Sequence, residues 1–148
     1  KEEECIIRLS RVGYDNTIGY LEGGFASWKQ SGKEIDTLKR ITGEQLEEML
    51  QTADLPLFDV RKKSEFDSEH LLNSVNIPLN QLNAKLDSFP NDKSFVIYCA
   101  GGYRSMIAAS ILKQRGFDNF IDVSGGFNEI AKTTQLPKTT YVCPSTLL

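Results

Sequence analysis

The stretch Ser94-Phe95-Val96-Ile97-Tyr98-Cys99-Ala100-Gly101-Gly102-Tyr103-Arg104-Ser105 decides the fold. Its apolar run, Phe95 to Tyr98, is the pattern of a strand buried on both faces, as in a parallel sheet. Ser105 to Gln114 then reads as a helix, with Ile107, Ala108, Ile111 and Leu112 on one face and Gly116 as its stop. A strand that passes through a glycine-bearing turn into a helix is a building unit of open α/β domains. In such domains ligands bind beyond the carboxyl ends of the strands.

The same alternation extends on both sides. Thr42 and Gln45 form a capping box that opens a helix to about Leu50, with Ile41 placed to staple to Leu46. Leu57-Phe58-Asp59-Val60 is a short buried strand, 64–69 a short helix, and Val75-Asn76-Ile77 a strand stopped by Pro78. Residues 81–86 read as helical, Phe120-Ile121-Asp122-Val123 as a strand, and Gly126 to Ala131 as the start of a last helix. The expected fold is α/β: three layers, with a mainly parallel central sheet flanked by helices. The tail from Thr133 has two prolines and no clear period, so it is expected to be irregular and to pack on the surface.

Composition excludes several classes. With 148 residues, a net charge of −3 and 25% charged residues, the chain has no basic nucleic-acid footprint. No apolar run approaches a membrane span. The three cysteines, Cys5, Cys99 and Cys143, lack paired spacing, which points to free thiols in a reducing cytoplasm. His70 is the only histidine and no Cys-x-x-Cys occurs, so no metal site is expected.

Cys99 carries the chemistry. Gly101 and Gly102 allow a loop that turns several N–H groups toward one point. The following helix N-terminus adds partial positive charge, and Arg104 adds a full one. A thiol in that position is expected to ionise near neutral pH and act as a nucleophile. The bland alternative is a buried, inert cysteine at the end of a strand.

The loop resembles the active-site loop of rhodanese-like domains. Asp59-Val60-Arg61 is similar to the family's Asp-x-Arg, Glu65-Phe66 to its Glu-aromatic pair, and His70 with Asn76-Ile77-Pro78 to its Gly-His-Ile…Asn-Ile-Pro segment. Gly125-Gly126 is similar to its terminal Gly-Gly, so the match runs over about 38–131. The resemblance implies a sulfurtransferase in which Cys99 takes sulfane sulfur from thiosulfate or a low-molecular-weight persulfide. The sulfur then passes to a thiol or another nucleophile. It implies that the loop amides of Ala100, Gly101, Gly102, Tyr103 and Arg104 hold the bound sulfur, with Arg104 gripping the donor anion or bracing the loop. Asp59 and Arg61 would support the loop or simply fix a turn. No cofactor is implied. The sequence departs from the family at Glu69 and Asn73, where glycines are expected, and at Ala100, where many active members carry Arg. The last change weakens the case for thiosulfate as donor.

Two rival functions fit the same residues. Phosphatases and arsenate reductases of the related fold place five residues between Cys and Arg to cradle an oxyanion, whereas four intervene here, Ala100 to Tyr103. The other rival is a non-catalytic, regulatory module. Among the remaining residues, His70 is a base or a structural hydrogen bonder, Tyr103 lines the pocket or its rim, and Cys143 resolves a persulfide or stands by. Cys5 is expected in a helix with no site around it, and Trp28 in packing.

An internal echo bears on organisation. Arg11-Val12-Gly13-Tyr14-Asp15-Asn16…Gly23-Gly24-Phe25 parallels Arg115-Gly116-Phe117-Asp118-Asn119…Gly125-Gly126-Phe127. The separation is a domain-sized period. The expected division is therefore 1–38, the remnant of a preceding sister domain; 39–133, a complete domain; and 134–148, a tail. The alternative is an N-terminal extension packed on one domain. A strand is expected near Ile18–Leu21, its open edge pairing with a second copy as a homodimer or with the complete domain. The wording of residues 11–25 and of Tyr98-Cys99-Ala100-Gly101-Gly102-Tyr103-Arg104-Ser105 resembles rhodanese repeats that follow a metallo-β-lactamase-fold hydrolase in bacterial fusion proteins. That resemblance implies an upstream metal-bearing domain akin to persulfide dioxygenases.

Overall fold

A computed structural model describes residues 1–11, 13–143 and 146. The chain forms two compact units, Lys1–Thr37 and Leu38–Leu148.

The larger unit is built on a five-stranded, wholly parallel sheet of order β1-β5-β4-β2-β3: β1 (Arg40–Ile41), β2 (Leu57–Asp59), β3 (Ser74–Asn76), β4 (Phe95–Tyr98) and β5 (Phe120–Val123). The smaller unit holds helices α1 (Glu2–Ser10) and α2 (Gly24–Gln30). Those of the larger unit are α3 (Gly43–Thr52), α4 (Lys63–Ser68), α5 (Tyr103–Gln114) and α6 (Gly126–Thr133). The three-layer parallel fold expected from the strand runs is the one found.

Alternation along β4 separates two cores. Phe95, Ile97 and Cys99 face Ala108, Ala109 and Leu112 of α5, together with Phe58, Phe89, Phe117 and Phe120. Val96 and Tyr98 face the opposite layer, with Leu46 of α3 and Phe127 and Ile130 of α6. All four β4 residues are buried, which is why the strand shows no polar side. Cys99 leaves the carboxyl end of this central strand.

The capping box on α3 is present: Gln45 N donates to Thr42 Oγ1 at 3.3 Å and Thr42 N to Gln45 Oε1 at 2.9 Å. Residues 81–86, expected to be helical, fall in two 3₁₀ helices rather than an α-helix, Leu79–Ala84 and Leu86–Ser88. Pro78 sets the entry and Asn80 and Asn83 are weak helix formers. Leu79 and Leu82, at the i,i+3 spacing that a 3₁₀ turn aligns, both reach the core. Near Ile18–Leu21 the smaller unit has no strand, and Ile18 is 96% exposed. A strand exists only through its ladder, and among the described residues of the unit none pairs with it.

The echo is nonetheless structural. Gly13 and Gly116 have φ of 95° and 91°, Gly23 and Gly125 75° and 74°, and Gly24 and Gly126 59° and 58°. Both Gly-Gly pairs open a helix. Burial separates the copies: Phe117, Ile121 and Phe127 are buried, whereas Tyr14, Ile18 and Phe25 are exposed.

The tail packs back on the larger unit. Leu72 N donates to Pro137 O at 2.9 Å, Thr139 N to His70 O at 2.9 Å and Val142 N to Ser68 O at 2.8 Å.

Candidate functional site

The loop after β4 encloses the Cys99 sulfur. Gly102 N donates to Cys99 Sγ at 3.1 Å, and Cys99 is 1% exposed. Gly102 adopts φ +94° and N-caps α5, so the helix begins at Tyr103, two residues earlier than the sequence suggested. That conformation turns the Gly102 amide inward and would strain any residue with a side chain.

The loop carbonyls point the other way. Phe127 N donates to Cys99 O at 2.7 Å and Asn128 N to Ala100 O at 3.0 Å. The N-terminus of α6 thus holds the outer side of the loop, opposite the Gly102 amide that faces the sulfur. Gly126 makes this approach possible: a Cβ there would lie 2.1 Å from Cys99 O and 2.9 Å from Ala100 O. This is the structural work of Gly125-Gly126.

Arg104 does not stand open to solvent as a free anion grip. Its guanidinium forms a two-point ion pair with Glu65 of α4, at 2.5 and 2.8 Å. That hydrogen bond holds the Glu65 carboxyl below its usual range, against partial burial. Glu65 likewise pushes the Arg104 guanidinium further up. Tyr103 is 62% exposed and lies at the rim.

Asp59 and Arg61 form a buried pair beneath the loop. Arg61 donates from its backbone N to Asp59 Oδ1 at 2.9 Å and from Nη2 to Oδ2 at 2.6 Å. Its guanidinium also donates to Glu69 O at 2.8 Å and stacks over the Phe127 ring at 4.2 Å. Asn76 Nδ2 ties the same turn by donating to Asp59 O and Arg61 O, at 2.9 and 3.0 Å. The pair therefore joins β2, α4 and α6 below the site.

His70 is committed elsewhere. Its ring stacks on Phe66 with centroids 3.6 Å apart, and Nδ1 lies 2.6 Å from Phe66 O. This is the structural role. Cys5 sits in α1 and, like Cys143, is exposed. Trp28 Nε1 donates to Glu34 O at 2.8 Å within the smaller unit. Among the described residues, no helix is long and apolar enough to cross a membrane.

Sequence reasoning missed three contributors. Glu65 was noticed only as part of a motif; its place in the first turn of a helix beside the loop was the available signal. The backbone donors of Phe127 and Asn128 carry no side-chain signature. Asp122 was read simply as part of a strand. A carboxylate inside a buried strand calls for a cation, and that cation is Arg40, whose Nε donates to Asp122 Oδ2 at 2.9 Å.

Comparison with known proteins agrees with this geometry. The chain is 37% identical over 109 residues to the adenylyltransferase and sulfurtransferase uba4 of Ogataea parapolymorpha, covering 71% of this chain and 27% of that protein. It thus spans about a quarter of that relative's length. It is 29% identical over 90 residues to a sulfurtransferase of Allochromatium vinosum, covering 60% of this chain and 84% of that one. A crystal structure of a rhodanese-related protein from Thermoplasma volcanium matches with a TM-score of 0.61 and 31% identity, over 68% of this chain and 97% of that one. Residues 42–133 match the model of the rhodanese-like domain. A parallel sheet that delivers Cys99 into a loop whose Gly102 amide meets its sulfur, closed from outside by a Gly-Gly helix start, is thus joined to that match, and the chain belongs to the rhodanese-like family.

Proposed function

We propose that the larger unit is a sulfurtransferase that carries sulfane sulfur on Cys99. The observation that carries this reading is the Gly102 N–H directed at Cys99 Sγ at the end of the central strand. The Cys99 thiolate attacks the outer sulfur of a donor R–S–S⁻. The donor S–S bond breaks, the thiolate R–S⁻ leaves, and Cys99 holds a persulfide. An acceptor thiolate then attacks that outer sulfur and Cys99 returns as thiolate. Sulfur moves with no net oxidation, so the step needs no metal or organic cofactor. The loop amides of residues 100–104 stabilise the negative persulfide.

A low-molecular-weight persulfide fits better than thiosulfate. Ala100 brings no charge to the mouth, and the Arg104 charge is met by Glu65. A dianion therefore gains little over a monoanion. The partners are a small donor and a thiol acceptor, neither nucleic acid nor membrane, in a reducing cytoplasm.

The smaller unit supports a second element of the proposal. Its matched glycine angles and exposed apolar residues fit the remnant of a preceding rhodanese-like domain at 1–38. Its apolar groove, which includes Ile6, Leu9, Leu21 and Trp28, is where a homodimer would form. Placement downstream of a metallo-β-lactamase-fold hydrolase rests on the wording of residues 11–25 and 98–105 alone.

Intact-mass spectrometry after incubation with glutathione persulfide or thiosulfate tests the transfer. Wild type should gain one sulfur and Cys99→Ser none. Equal gain in both would move the site to Cys5 or Cys143. No gain, with turnover of a phosphate ester, would establish the phosphatase reading. No gain and no turnover would leave a regulatory module.

A further inference from the structure

Three arginine–carboxylate pairs surround the Cys99 loop, and two are accounted for above: Asp59–Arg61 and Glu65–Arg104. The third, Arg40–Asp122, belongs to no motif quoted for the family. The two residues are register partners on adjacent strands, β1 and β5. Asp122 is wholly buried, and its Oδ1 has no hydrogen-bond partner among the described residues. Burial pushes its carboxyl above the usual range, against the pull of the Arg40 guanidinium. The Arg40 side chain remains 42% exposed and extends from this anchor to the loop. A Cβ on Gly102 would lie 3.5 Å from Arg40 Nη2 and 3.6 Å from Gly125 N. The guanidinium therefore flanks the open side of Gly102, whose amide donates to the sulfur. Ser105 Oγ donates to Gly102 O at 3.2 Å from the other direction.

We propose that Arg40 is a positioning residue for Cys99: anchored by Asp122, its guanidinium braces Gly102 so that the Gly102 N–H stays on the sulfur. This rests on the reading of Cys99 as the reacting sulfur. Gly102 has no side chain of its own to fix its peptide, so an outside brace sets how well that amide stabilises the thiolate. The charged and titratable groups on the elements packed about the loop are Asp59 and Arg61 from the end of β2, Glu65 from α4, Tyr103 and Arg104 from α5, Asp122 from β5 and Arg40 from β1. The other two arginines pair with Asp59 and Glu65.

The test is the pH dependence of iodoacetamide alkylation of Cys99, in the full chain carrying Cys5→Ser and Cys143→Ser. Arg40→Gln should raise the midpoint and slow alkylation below it about three- to tenfold, the effect of a half to one pH unit. Arg40→Lys should recover part of the loss, since it keeps the charge without the planar fork. Arg40→Gln alone strands a buried carboxylate. Arg40→Gln with Asp122→Asn removes that burden and should keep the raised midpoint. A wild-type profile in the folded double variant overturns the proposal. Sulfur uptake by wild type, read by mass, separates the two claims. Uptake with unshifted variant profiles sinks the brace and leaves the transfer standing. A shifted profile without uptake does the reverse.

Discussion

Gly126 lies so close to Cys99 that a Cβ on it would sit 2.1 Å from the Cys99 carbonyl oxygen. The contact is backbone against backbone, so no rotamer can relieve it. The φ of +58° adds strain for any side chain.

Gly126→Ala should therefore destabilise the larger unit by about 3 kcal/mol, a large value for one methyl group. Cys99 should also lose persulfide formation, because the loop must move off α6. Urea denaturation and intact-mass labelling measure the two effects. A stable variant with normal labelling would show that α6 does not hold the loop.

Arg61→Ala leaves Asp59 buried and unpaired. The expected cost is about 3–5 kcal/mol. Replacing both partners, with Asp59→Asn and Arg61→Met, should cost clearly less than the single change. Denaturant midpoints of the three chains decide it.

Glu65→Gln frees the Arg104 charge while keeping the shape. The ratio of kcat/KM for thiosulfate to that for glutathione persulfide should rise about fivefold, corresponding to a partly exposed charge worth about 1 kcal/mol. An unchanged ratio would remove Glu65 from donor selection.

The same residue sets a pH dependence. The folded Glu65 carboxyl is held below its unfolded value by Arg104, so its contribution is fully present above the usual glutamate range. It is lost as pH falls through the lower, folded value. Stability measured in urea from about pH 6 to pH 3 should fall more steeply in wild type than in Glu65→Gln.

The fold was legible because its signals are local. Phe95–Tyr98 announces a doubly buried strand, and Thr42 with Gln45 announces a helix start. At Leu79–Ala84 and Leu86–Ser88 helix was legible but not its 3₁₀ type, because i,i+3 apolar spacing serves both helix types. The strand at Ile18–Leu21 was misread because a ladder depends on a partner, which local pattern does not contain. Of the site, Cys99, Gly102 and the Asp59–Arg61 pair could be read from the chain. The pairing of Arg104 with Glu65 and of Arg40 with Asp122 joins residues 39 and 82 positions apart, and only the folded sheet brings them together.

The strand order has a consequence for the birth of the thiol. β1, the first strand of the larger unit, pairs only with β5, the last, and the Cys99 loop is gripped by the helix after that. Local contacts cannot assemble it, and parallel, distant pairings form late and slowly. On the ribosome, Cys99 emerges before Phe127 and Asn128, so its loop has no grip from α6 until the rest of the domain has followed. Under the proposed function, sulfur transfer by Cys99 therefore waits on the closing of the domain.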